Sequence, residues 1–268
     1  MKPFLKWAGS KYKIINRITP LLPLGNRLIE PFVGSGAVFL NTNYPDCIVG
    51  DTNSDLINLY NCIKDKGIDF IDYAKYLFVK ENNNQEAFYR LRVEFNQTLD
   101  LERKSAIFIY LNRHCFNGLC RYNSSNKFNV PFGRYANPTF PEKEIINFFH
   151  KSQSVEFKVS NFVDTMKRAK IGDVVYCDPP YAPLNQTSNF TSYTKDEFTL
   201  DSQKELSDMA SELMSKGICV VISNHDTEFT RSIYNAAEIN FFDVQRFISS
   251  NASNRTKAPE LLAVFSKK

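Results

Sequence analysis

The feature that most constrains the fold is an apolar run at Val174–Cys177, which is followed directly by Asp178–Tyr181, an Asp-Pro-Pro-Tyr sequence. A run rich in β-branched residues predicts a buried strand, and prolines without N–H groups must end its hydrogen-bond ladder. Asp178 is therefore left at the carboxyl end of a strand. Because ligands bind at this edge of open α/β sheets, the pattern predicts a functional loop there. The alternative is a Pro-Pro turn that only ends the strand.

Composition narrows the class of protein. The 268 residues are 43% hydrophobic and 23% charged, which is typical of a soluble globular chain and does not indicate disorder. No apolar stretch approaches the roughly 20 residues of a membrane span, and residues 1–13 lack a signal-peptide pattern. We therefore expect a cytoplasmic protein with no membrane partner. The net charge of +4 permits a polyanionic partner without requiring one.

The cysteines do not indicate a metal site. Six of them are scattered along the chain, mostly within apolar runs, and we interpret them as reduced thiols. His114, Cys115 and Cys120 are close in the sequence, but their spacing matches no zinc motif. We expect no metal.

Strand and helix patterns alternate along the chain and predict an α/β fold. Ser10 is expected to cap a helix over 14–22, another helix is expected to begin near Ala37, and helical periodicity fills 68–114. We interpret 54–150 as an insertion in one α/β domain formed by 1–53 and 151–268. The predicted strands are Arg27–Glu30, Cys47–Gly50, Val155–Lys158, Val174–Cys177, Ile218–Ile222 and a closing antiparallel pair, Ile239–Ile248 and Leu261–Phe265.

Two of these strands are followed by residues typical of nucleotide sites. A glycine turn, Phe32–Gly36, follows the first strand, although it lacks the third glycine of a dinucleotide fingerprint. Asp51 ends the second strand, where an acid can accept hydrogen bonds from ribose hydroxyls, and Asp55 is the alternative acid. Trp7, the only tryptophan, adjoins a Gly-Ser turn and contacts either a ligand or the core.

The segment 116–135 combines Asn, Arg and aromatic residues around a Ser-Ser-Asn turn, which predicts a β-hairpin. Asn and Arg recognise adenine and guanine edges, and aromatic rings can stack on bases. The segment is either a DNA-reading hairpin or a polar surface hairpin. A polar loop at 182–198 and a basic loop with Asn254, Arg255 and Lys257 complete the candidate surface.

Four stretches together resemble the ordered motifs of the Dam-type DNA adenine-N6 methyltransferases: Phe4–Lys11, Glu30–Gly36, Asn112–Asn123 and Asp178–Tyr181. The resemblance extends from Phe4 to Phe265. It implies a Rossmann-like, S-adenosylmethionine-dependent methyltransferase sheet with an inserted helical and β-hairpin DNA-recognition domain. The implied partner is double-stranded DNA containing GATC, and we expect a monomer in solution.

The resemblance also implies roles for individual residues. Asp51 is expected on the ribose, Arg121 as the main guanine reader, and Asn123 and Arg134 on the DNA backbone. Phe116 departs from the tyrosine expected of a wedge at this position. The implied catalytic residues are Asp178, Pro179, Pro180 and Tyr181; the cofactor contacts are Trp7, Lys11, Phe32, Gly34, Ser35, Gly36, Asp51 and Asp178; the DNA contacts are Lys6, Phe116, Asn117, Leu119, Arg121, Asn123, Pro131 and Arg134.

The implied chemistry agrees with these residue types. The N6 amine of adenine is a poor nucleophile and is inaccessible within a duplex, so the base must be flipped. Asp178 and the Pro179 carbonyl can accept its two hydrogens, and Tyr181 can stack on the ring. The alternatives left open are another target sequence, cytosine N4 or adenine in RNA as substrate, and a non-catalytic DNA-binding protein of the same fold. A nicotinamide oxidoreductase is disfavoured by the incomplete glycine fingerprint.

Overall fold

The computed structural model describes residues 1–183, 198–245 and 257–267. Most of the predicted polar loop at 182–198, and Asn254 and Arg255 of the predicted basic loop, lie outside the described residues. No helix in the described ranges has the length and apolarity needed to cross a membrane.

The strands are β1 (Arg27–Glu30), β2 (Asp46–Asp51), β3 (Val155–Val159), β4 (Asp173–Cys177), β5 (Cys219–His225), β6 (Glu238–Gln245) and β7 (Lys257–Phe265). The α-helices are α1 (Ile15–Ile18), α2 (Ser54–Lys75), α3 (Gln85–Gln97), α4 (Leu101–His114), α5 (Glu142–Ser152), α6 (Phe162–Met166), α7 (Leu200–Ser215) and α8 (Glu228–Ile233).

The described residues contain seven strands, and each strand predicted from the sequence overlaps an observed one. The predicted Rossmann-like α/β class is confirmed. The chain forms two compact units: unit 1 is Met1–Thr19 with Val33–Ser160, and unit 2 is Pro20–Phe32 with Asn161–Lys268. The division into a catalytic domain (1–53 and 151–268) and an inserted recognition domain (54–150) concerns function and stays a prediction.

In unit 1, β2 and β3 pair in parallel, and β2 ends at Asp51. Helix α2 packs against both strands and against α4 and α5. Four aromatic rings fill the space between these elements, with centroids 4.7 to 6.0 Å apart: Phe4, Tyr60, Phe148 and Phe157. This core holds α2 against the strand pair and thereby fixes the residues that follow β2.

In unit 2, β1, β4 and β5 pair in parallel, β7 is antiparallel to β5, and β6 is antiparallel to β7. All four residues of Val174–Cys177 are buried, because β4 lies between β1 and β5. Central parallel strands are buried on both faces, which explains why the run is apolar at every position. The strand ends at Cys177, so Asp178 is the first residue beyond it.

The helix predicted over 14–22 is wrong. The chain instead makes a 3-10 turn at Lys11–Ile14, the single turn α1, and a second 3-10 turn at Thr19–Leu21. Pro20 and Pro23 explain the interruption, because proline has no N–H group for a helical hydrogen bond. Ser10 makes no capping hydrogen bond.

The helix predicted near Ala37 is also wrong. Only a 3-10 turn, Phe39–Asn41, forms in this segment. The chain must reach the start of β2 at Asp46, which leaves room for little more than one turn. The local sequence pattern in this segment favoured a helix, but it carries no information about the short distance in sequence to β2.

Candidate functional site

Asp178 lies directly after β4, at the position predicted from the sequence. The Ser223 hydroxyl, on the neighbouring strand β5, donates to Asp178 Oδ1 at 2.9 Å and lies 3.3 Å from the Cys177 carbonyl oxygen. The Tyr176 hydroxyl donates to Ser223 Oγ at 3.2 Å. The direction of the Asp178 carboxylate is therefore set by a hydroxyl from the adjacent strand.

The backbone on both sides of Tyr181 is held by buried amide side chains. Gln203 Nε2, from α7, donates to the Pro180 carbonyl at 2.7 Å. Asn224 Oδ1, from β5, accepts a hydrogen bond from the Ala182 N–H at 3.0 Å. The loop that follows Asp178 is thus anchored by side chains from two other elements.

Tyr181 also has defined neighbours. Its hydroxyl donates to Glu260 Oε2 at 3.3 Å, and its ring makes an edge-to-face contact with His225 at a centroid distance of 4.8 Å. Burial raises the pKa of Tyr181 well above its ordinary value, and the charges of Asp178 and Glu260 add to the effect. The phenol therefore stays neutral and keeps its hydrogen-bond donor.

In unit 1, the glycine turn Val33–Gly36 lies beside Trp7 and Asp51. The Gly34 N–H donates to Asp51 Oδ2 at 3.1 Å, and the Tyr60 hydroxyl donates to the Gly34 carbonyl at 2.5 Å. Gly34 has a φ of +45°, and a methyl group there would lie 2.9 Å from Trp7 Nε1. Glycine is required at this position because a side chain would meet both strain and the indole ring.

Asp51 is anchored through both carboxylate oxygens. Gly34 donates to Oδ2, and the Asn53 N–H donates to Oδ1 at 2.9 Å. Burial raises the pKa of Asp51, and the backbone donors partly oppose that rise. Each carboxylate oxygen has two lone pairs, so the group keeps acceptor capacity for a ligand hydroxyl.

Asp55, the alternative acid, is used for structure. It accepts a hydrogen bond from the Tyr122 hydroxyl at 2.9 Å and forms an ion pair with Lys104 at 2.7 Å. Burial raises the pKa of Tyr122 above its ordinary range, so its hydroxyl remains a donor to Asp55. These contacts tie the predicted hairpin to α2 and α4.

The other predicted cofactor contacts, Lys11, Ser35, Gly36 and Phe32, each have different neighbours. Lys11 is buried, and its Nζ donates to the backbone carbonyl two residues earlier at 2.7 Å. Ser35 Oγ and Ser10 Oγ are 2.8 Å apart, and a methyl group on Gly36 would overlap a neighbouring phenylalanine ring. Phe32 belongs to unit 2, where its ring stacks on Phe162 at a centroid distance of 5.7 Å.

Lys6 is held by Asn112, a buried residue of α4. Asn112 Oδ1 accepts from the Lys6 N–H at 2.9 Å, and Asn112 Nδ2 donates to the carbonyls of Lys6 at 2.7 Å and Gly118 at 3.3 Å. The Lys6 ammonium lies 4.4 Å from the centroid of the Tyr135 ring. Burial, followed by the charge of Arg113, lowers the pKa of Lys6. Lys6 and the start of the hairpin therefore form one connected surface.

The predicted hairpin, 116–135, consists of two antiparallel arms joined by isolated bridges rather than by continuous strands. The bridges pair Cys115 with Phe132 and Tyr122 with Phe128. Asn96 on α3 anchors the second arm, since its amide exchanges two hydrogen bonds with the Phe128 backbone, at 2.8 and 3.1 Å. The arms are thus held by a helix as well as by each other.

Three predicted DNA contacts are exposed on these arms. Arg121 Nε donates to Asn129 Oδ1 at 2.8 Å, which orients the guanidinium group. The side-chain oxygen of Asn123 accepts from two N–H groups of the turn, at 3.1 and 3.0 Å. Arg134 has a φ of +54°. Asn123 shapes the turn in this structure, whereas the two arginines present cations on its surface.

The other predicted DNA contacts lie near the base of the arms. Phe116 is 50% exposed, and its N–H donates to the Pro131 carbonyl at 2.9 Å. Asn117 has a φ of +54°, and its N–H donates to the Tyr135 hydroxyl at 2.9 Å. Leu119 is half-buried. Phe116 therefore presents a large apolar ring to solvent, as an intercalating wedge would.

No group of three or more potential metal ligands occurs among residues 1–183, 198–245 and 257–267. His114 stacks on Tyr110 at 3.9 Å, and its Nδ1 lies 2.8 Å from the Tyr110 carbonyl oxygen. Burial lowers the pKa of His114 to about 4. The six cysteines, all in the described ranges, are free thiols.

Several supporting residues were given no individual role from the sequence, although Asn112 begins one of the motif stretches and Asn224 follows the apolar run of a predicted strand. Their local signals differ, and Asn112 has the clearest one, because it directly follows the buried run 106–111. That signal identifies a buried hydrogen-bonding group but not its partner. The residues are Tyr60, Asn112, Asn129, Gln203 and Asn224.

Known protein families provide the deciding comparison. The family model of the D12 class N6 adenine-specific DNA methyltransferases matches residues 7–248, a span that contains Trp7, Asp51, the hairpin and Asp178. The chain belongs to this D12 class. The predicted resemblance, the enzyme class and the methylation of adenine in DNA are thereby confirmed.

Curated relatives resemble this D12-class enzyme over nearly their whole length. The chain is 50% identical over 265 residues to the DNA adenine methylase of Serratia marcescens, covering 98% of both chains. It is 49% identical over 264 residues to the Escherichia coli K12 DNA adenine methylase, covering 98% of this chain and 95% of that one. A DNA adenine methylase of Vibrio cholerae is 48% identical over 265 residues, with 98% and 96% covered.

Proposed function

We propose that this D12-class enzyme transfers the methyl group of S-adenosylmethionine to N6 of a flipped adenine in duplex GATC. The observation that carries the proposal is the Asp178 carboxylate, oriented by Ser223 at 2.9 Å at the end of β4. A fixed acceptor next to a tyrosine suits a planar amine that must be oriented before it reacts. Similarity to DNA adenine methylases over 98% of the chain supports the same proposal.

The residues of unit 1 fit such a cofactor. The cradle at Gly34 has no room for a side chain beneath Trp7, which leaves backbone available for close approach by a ligand. Asp51 keeps acceptor capacity for ribose hydroxyls, because backbone donors fix its direction and use only part of its lone pairs. Lys11 and Ser35 belong to the same proposed contact set. When bound, S-adenosylmethionine supplies an activated methyl group on a sulfonium centre.

The residues of unit 2 are proposed to prepare the base. Asp178 and the Pro179 carbonyl accept the two N6 hydrogens, which favours a tetrahedral nitrogen with a localised lone pair. Tyr181 stacks on the flipped ring and offsets part of an unstacking cost of a few kcal/mol. Because Ser223 orients the Asp178 carboxylate before the base binds, less of the binding free energy is needed to orient it.

The hairpin and Lys6 are proposed to select the sequence. Arg121, oriented by Asn129, recognises a guanine edge bidentately, and Lys6 contacts a base or a phosphate of the target site. Phe116 inserts as a wedge, and its lack of a hydroxyl removes one polar contact that a tyrosine would make. Asn117, Leu119 and Pro131 assist at the bases, whereas Asn123 and Arg134 hold the DNA backbone. We further propose that the enzyme acts as a monomer in the cytoplasm.

Two assays test the proposal. Plasmid from a methylation-free host would be treated with enzyme and S-adenosylmethionine, then digested with methylation-sensitive and methylation-dependent GATC nucleases. We expect protection from the first nuclease and cleavage by the second. In parallel, tritiated cofactor would be incubated with a GATC duplex and with a scrambled duplex of equal composition. Labelling of neither duplex, or equal labelling of both, would contradict the proposed target.

A further inference from the structure

We infer that Gln203 and Asn224 form a positioning pair that sets the conformation of the loop carrying Tyr181. The inference rests on the function proposed above for Asp178–Tyr181. Gln203 comes from α7 and is 1% exposed, and Asn224 comes from β5 and is fully buried. Such amides are costly to bury unless their hydrogen bonds are satisfied, so the burial of these two side chains needs an explanation.

The hydrogen-bond directions at Asn224 are fixed by chemistry. Asn224 Oδ1 faces the N–H groups of Ala182 at 3.0 Å and His225 at 2.9 Å, and backbone N–H groups can only donate. The oxygen of the amide must therefore point toward them. Asn224 Nδ2 consequently donates in the opposite direction, to Gln203 Oε1 at 2.9 Å and to the Tyr234 hydroxyl oxygen at 3.0 Å.

This order determines the orientation of Gln203 in turn. Because Gln203 Oε1 accepts from Asn224, its Nε2 must face the Pro180 carbonyl, which can only accept, at 2.7 Å. The chain of donors therefore runs in one direction, from the backbone after Tyr181, through two buried amides, to the backbone before it. If either amide flipped, its NH2 group would face other N–H donors or its oxygen would face a carbonyl oxygen. The pair therefore has one low-energy arrangement.

The loop needs such support because its own backbone is deficient in donors. Pro179 and Pro180 have no N–H groups, and the strand β4 has already ended at Cys177. Gln203 holds the carbonyl before Tyr181, and Asn224 holds the N–H after it. The backbone of Tyr181 is thus clamped on both sides, which limits the directions available to its ring before any base arrives.

The consequence concerns turnover rather than cofactor binding. A base that stacks on a correctly oriented Tyr181 ring has its N6 amine within hydrogen-bonding reach of the Asp178 carboxylate. If the ring is rotated, the amine is displaced from the carboxylate. A misplacement of about 1 Å can cost on the order of 100-fold in rate. Gln203 touches neither proposed ligand in this role, and it acts through the Pro180 carbonyl.

The first test compares Gln203→Met with a matched control, Ser207→Ala. Ser207 lies one turn further along α7, is 3% exposed, and donates to the Ile233 carbonyl at 2.6 Å. Each variant removes one buried donor to a carbonyl from the same helix, and Gln203→Met also removes the acceptor of Asn224 Nδ2, so Gln203→Met is expected to lose somewhat more folding stability. We expect Gln203→Met to lower kcat about 30- to 100-fold and Ser207→Ala to lower it less than about threefold.

The second readout is the flipped base itself. A GATC duplex with 2-aminopurine at the target adenine becomes fluorescent when the base leaves the stack, and stacking on a tyrosine quenches that signal. We expect the Gln203→Met complex to be brighter than the wild-type complex at saturating enzyme, because the base is extruded without correct stacking. The Ser207→Ala complex should match wild type.

Gln203→Glu supplies a conservative rescue. An ionised glutamate has no donor for the Pro180 carbonyl, but a protonated one has the same shape and donor pattern as glutamine. The ratio of variant to wild-type kcat should therefore rise as the pH is lowered, while the ratio for Gln203→Met stays flat. Burial keeps Tyr234 neutral by raising its pKa. The other ionisable side chains near this loop, Asp178, His225 and Glu260, are present in both proteins and cancel in the ratio.

The outcomes separate the inference from the function on which it rests. If the wild-type enzyme labels no GATC duplex, the proposed function fails. If the wild type is active and Gln203→Met matches Ser207→Ala in kcat and in 2-aminopurine fluorescence, the positioning role is overturned. A Gln203→Met variant whose cofactor affinity falls as much as its kcat would also overturn it, because that pattern indicates general loss of structure.

Discussion

Replacing Gly34 with alanine tests the cofactor role proposed for the turn beside Trp7. Gly34 has a φ of +45°, and an added methyl group would lie 2.9 Å from Trp7 Nε1 and 3.2 Å from Trp7 Cδ1. The substitution therefore adds backbone strain and pushes the indole ring. Both effects occur next to Asp51, which accepts the Gly34 N–H.

The magnitude follows from these distances. A residue with a side chain costs about 1 to 2 kcal/mol in the left-handed region. Comfortable contacts begin at about 3.5 Å, so the Trp7 ring must move by about 0.6 Å, the difference from 2.9 Å. We expect the affinity for S-adenosylmethionine to fall at least about tenfold, which corresponds to about 1.4 kcal/mol.

Gly217→Ala is the matched control. Gly217 has a φ of +82°, and an added methyl group would meet no atom within 4 Å. The variant carries the same kind of backbone strain without the contact with Trp7. We expect it to lose about 1 to 2 kcal/mol of unfolding free energy and to bind the cofactor like wild type.

The assay uses the single tryptophan of the chain as its probe. Trp7 fluorescence would be followed during titration with S-adenosylmethionine, and urea unfolding would give the stability of each variant. The Gly34→Ala protein should show an altered emission spectrum before cofactor is added. Equal cofactor affinities for Gly34→Ala and Gly217→Ala would refute the proposed location of the cofactor.

Three further predictions concern single side chains. Asp178→Ala should abolish methylation and change DNA affinity by less than about threefold, and equal loss of both would contradict its proposed role. Arg121→Ala should relax discrimination at one guanine by about 1 to 3 kcal/mol in assays of singly substituted duplexes, whereas Arg134→Ala should weaken all duplexes alike. Burial lowers the pKa of His114 from 6.5 to about 4, so the folded state binds this proton less tightly than the unfolded state. The unfolding free energy should therefore fall as pH drops from about 6.5 through about 4, and His114→Gln should flatten that dependence in urea titrations at several pH values.

The strands were predictable because their signals are local. Four consecutive apolar residues at Val174–Cys177, followed by an acid and two prolines, require only that one strand be buried and then stop. The helices at 14–22 and near Ala37 were mispredicted for the opposite reason. Their sequence patterns favoured helices, but Pro20 in the first segment and the short path to β2 in the second prevented regular helices.

The candidate site was predictable only in part. Asp51 is the last residue of its strand, and Asp178 and the glycine turn follow theirs. In parallel sheets that position alone marks residues near the ligand edge. Asn112 begins a motif stretch and Asn224 follows the apolar run of a strand, but neither position identifies the group that the amide binds. Gln203 lies in a polar stretch of sequence and has no such mark. Their contacts join segments far apart in the chain, such as Asn112 with Lys6.

The sequence by itself determined the strand that ends directly before Asp178, the α/β class and the family, because each depends on local patterns and on motif order. Tertiary structure alone decided how the Asp-Pro-Pro-Tyr loop is held. Ser223 orients the Asp178 carboxylate, and Gln203 and Asn224 clamp the backbone around Tyr181. A hydrogen bond requires two groups within about 3 Å, and only folding brings such distant residues to that distance.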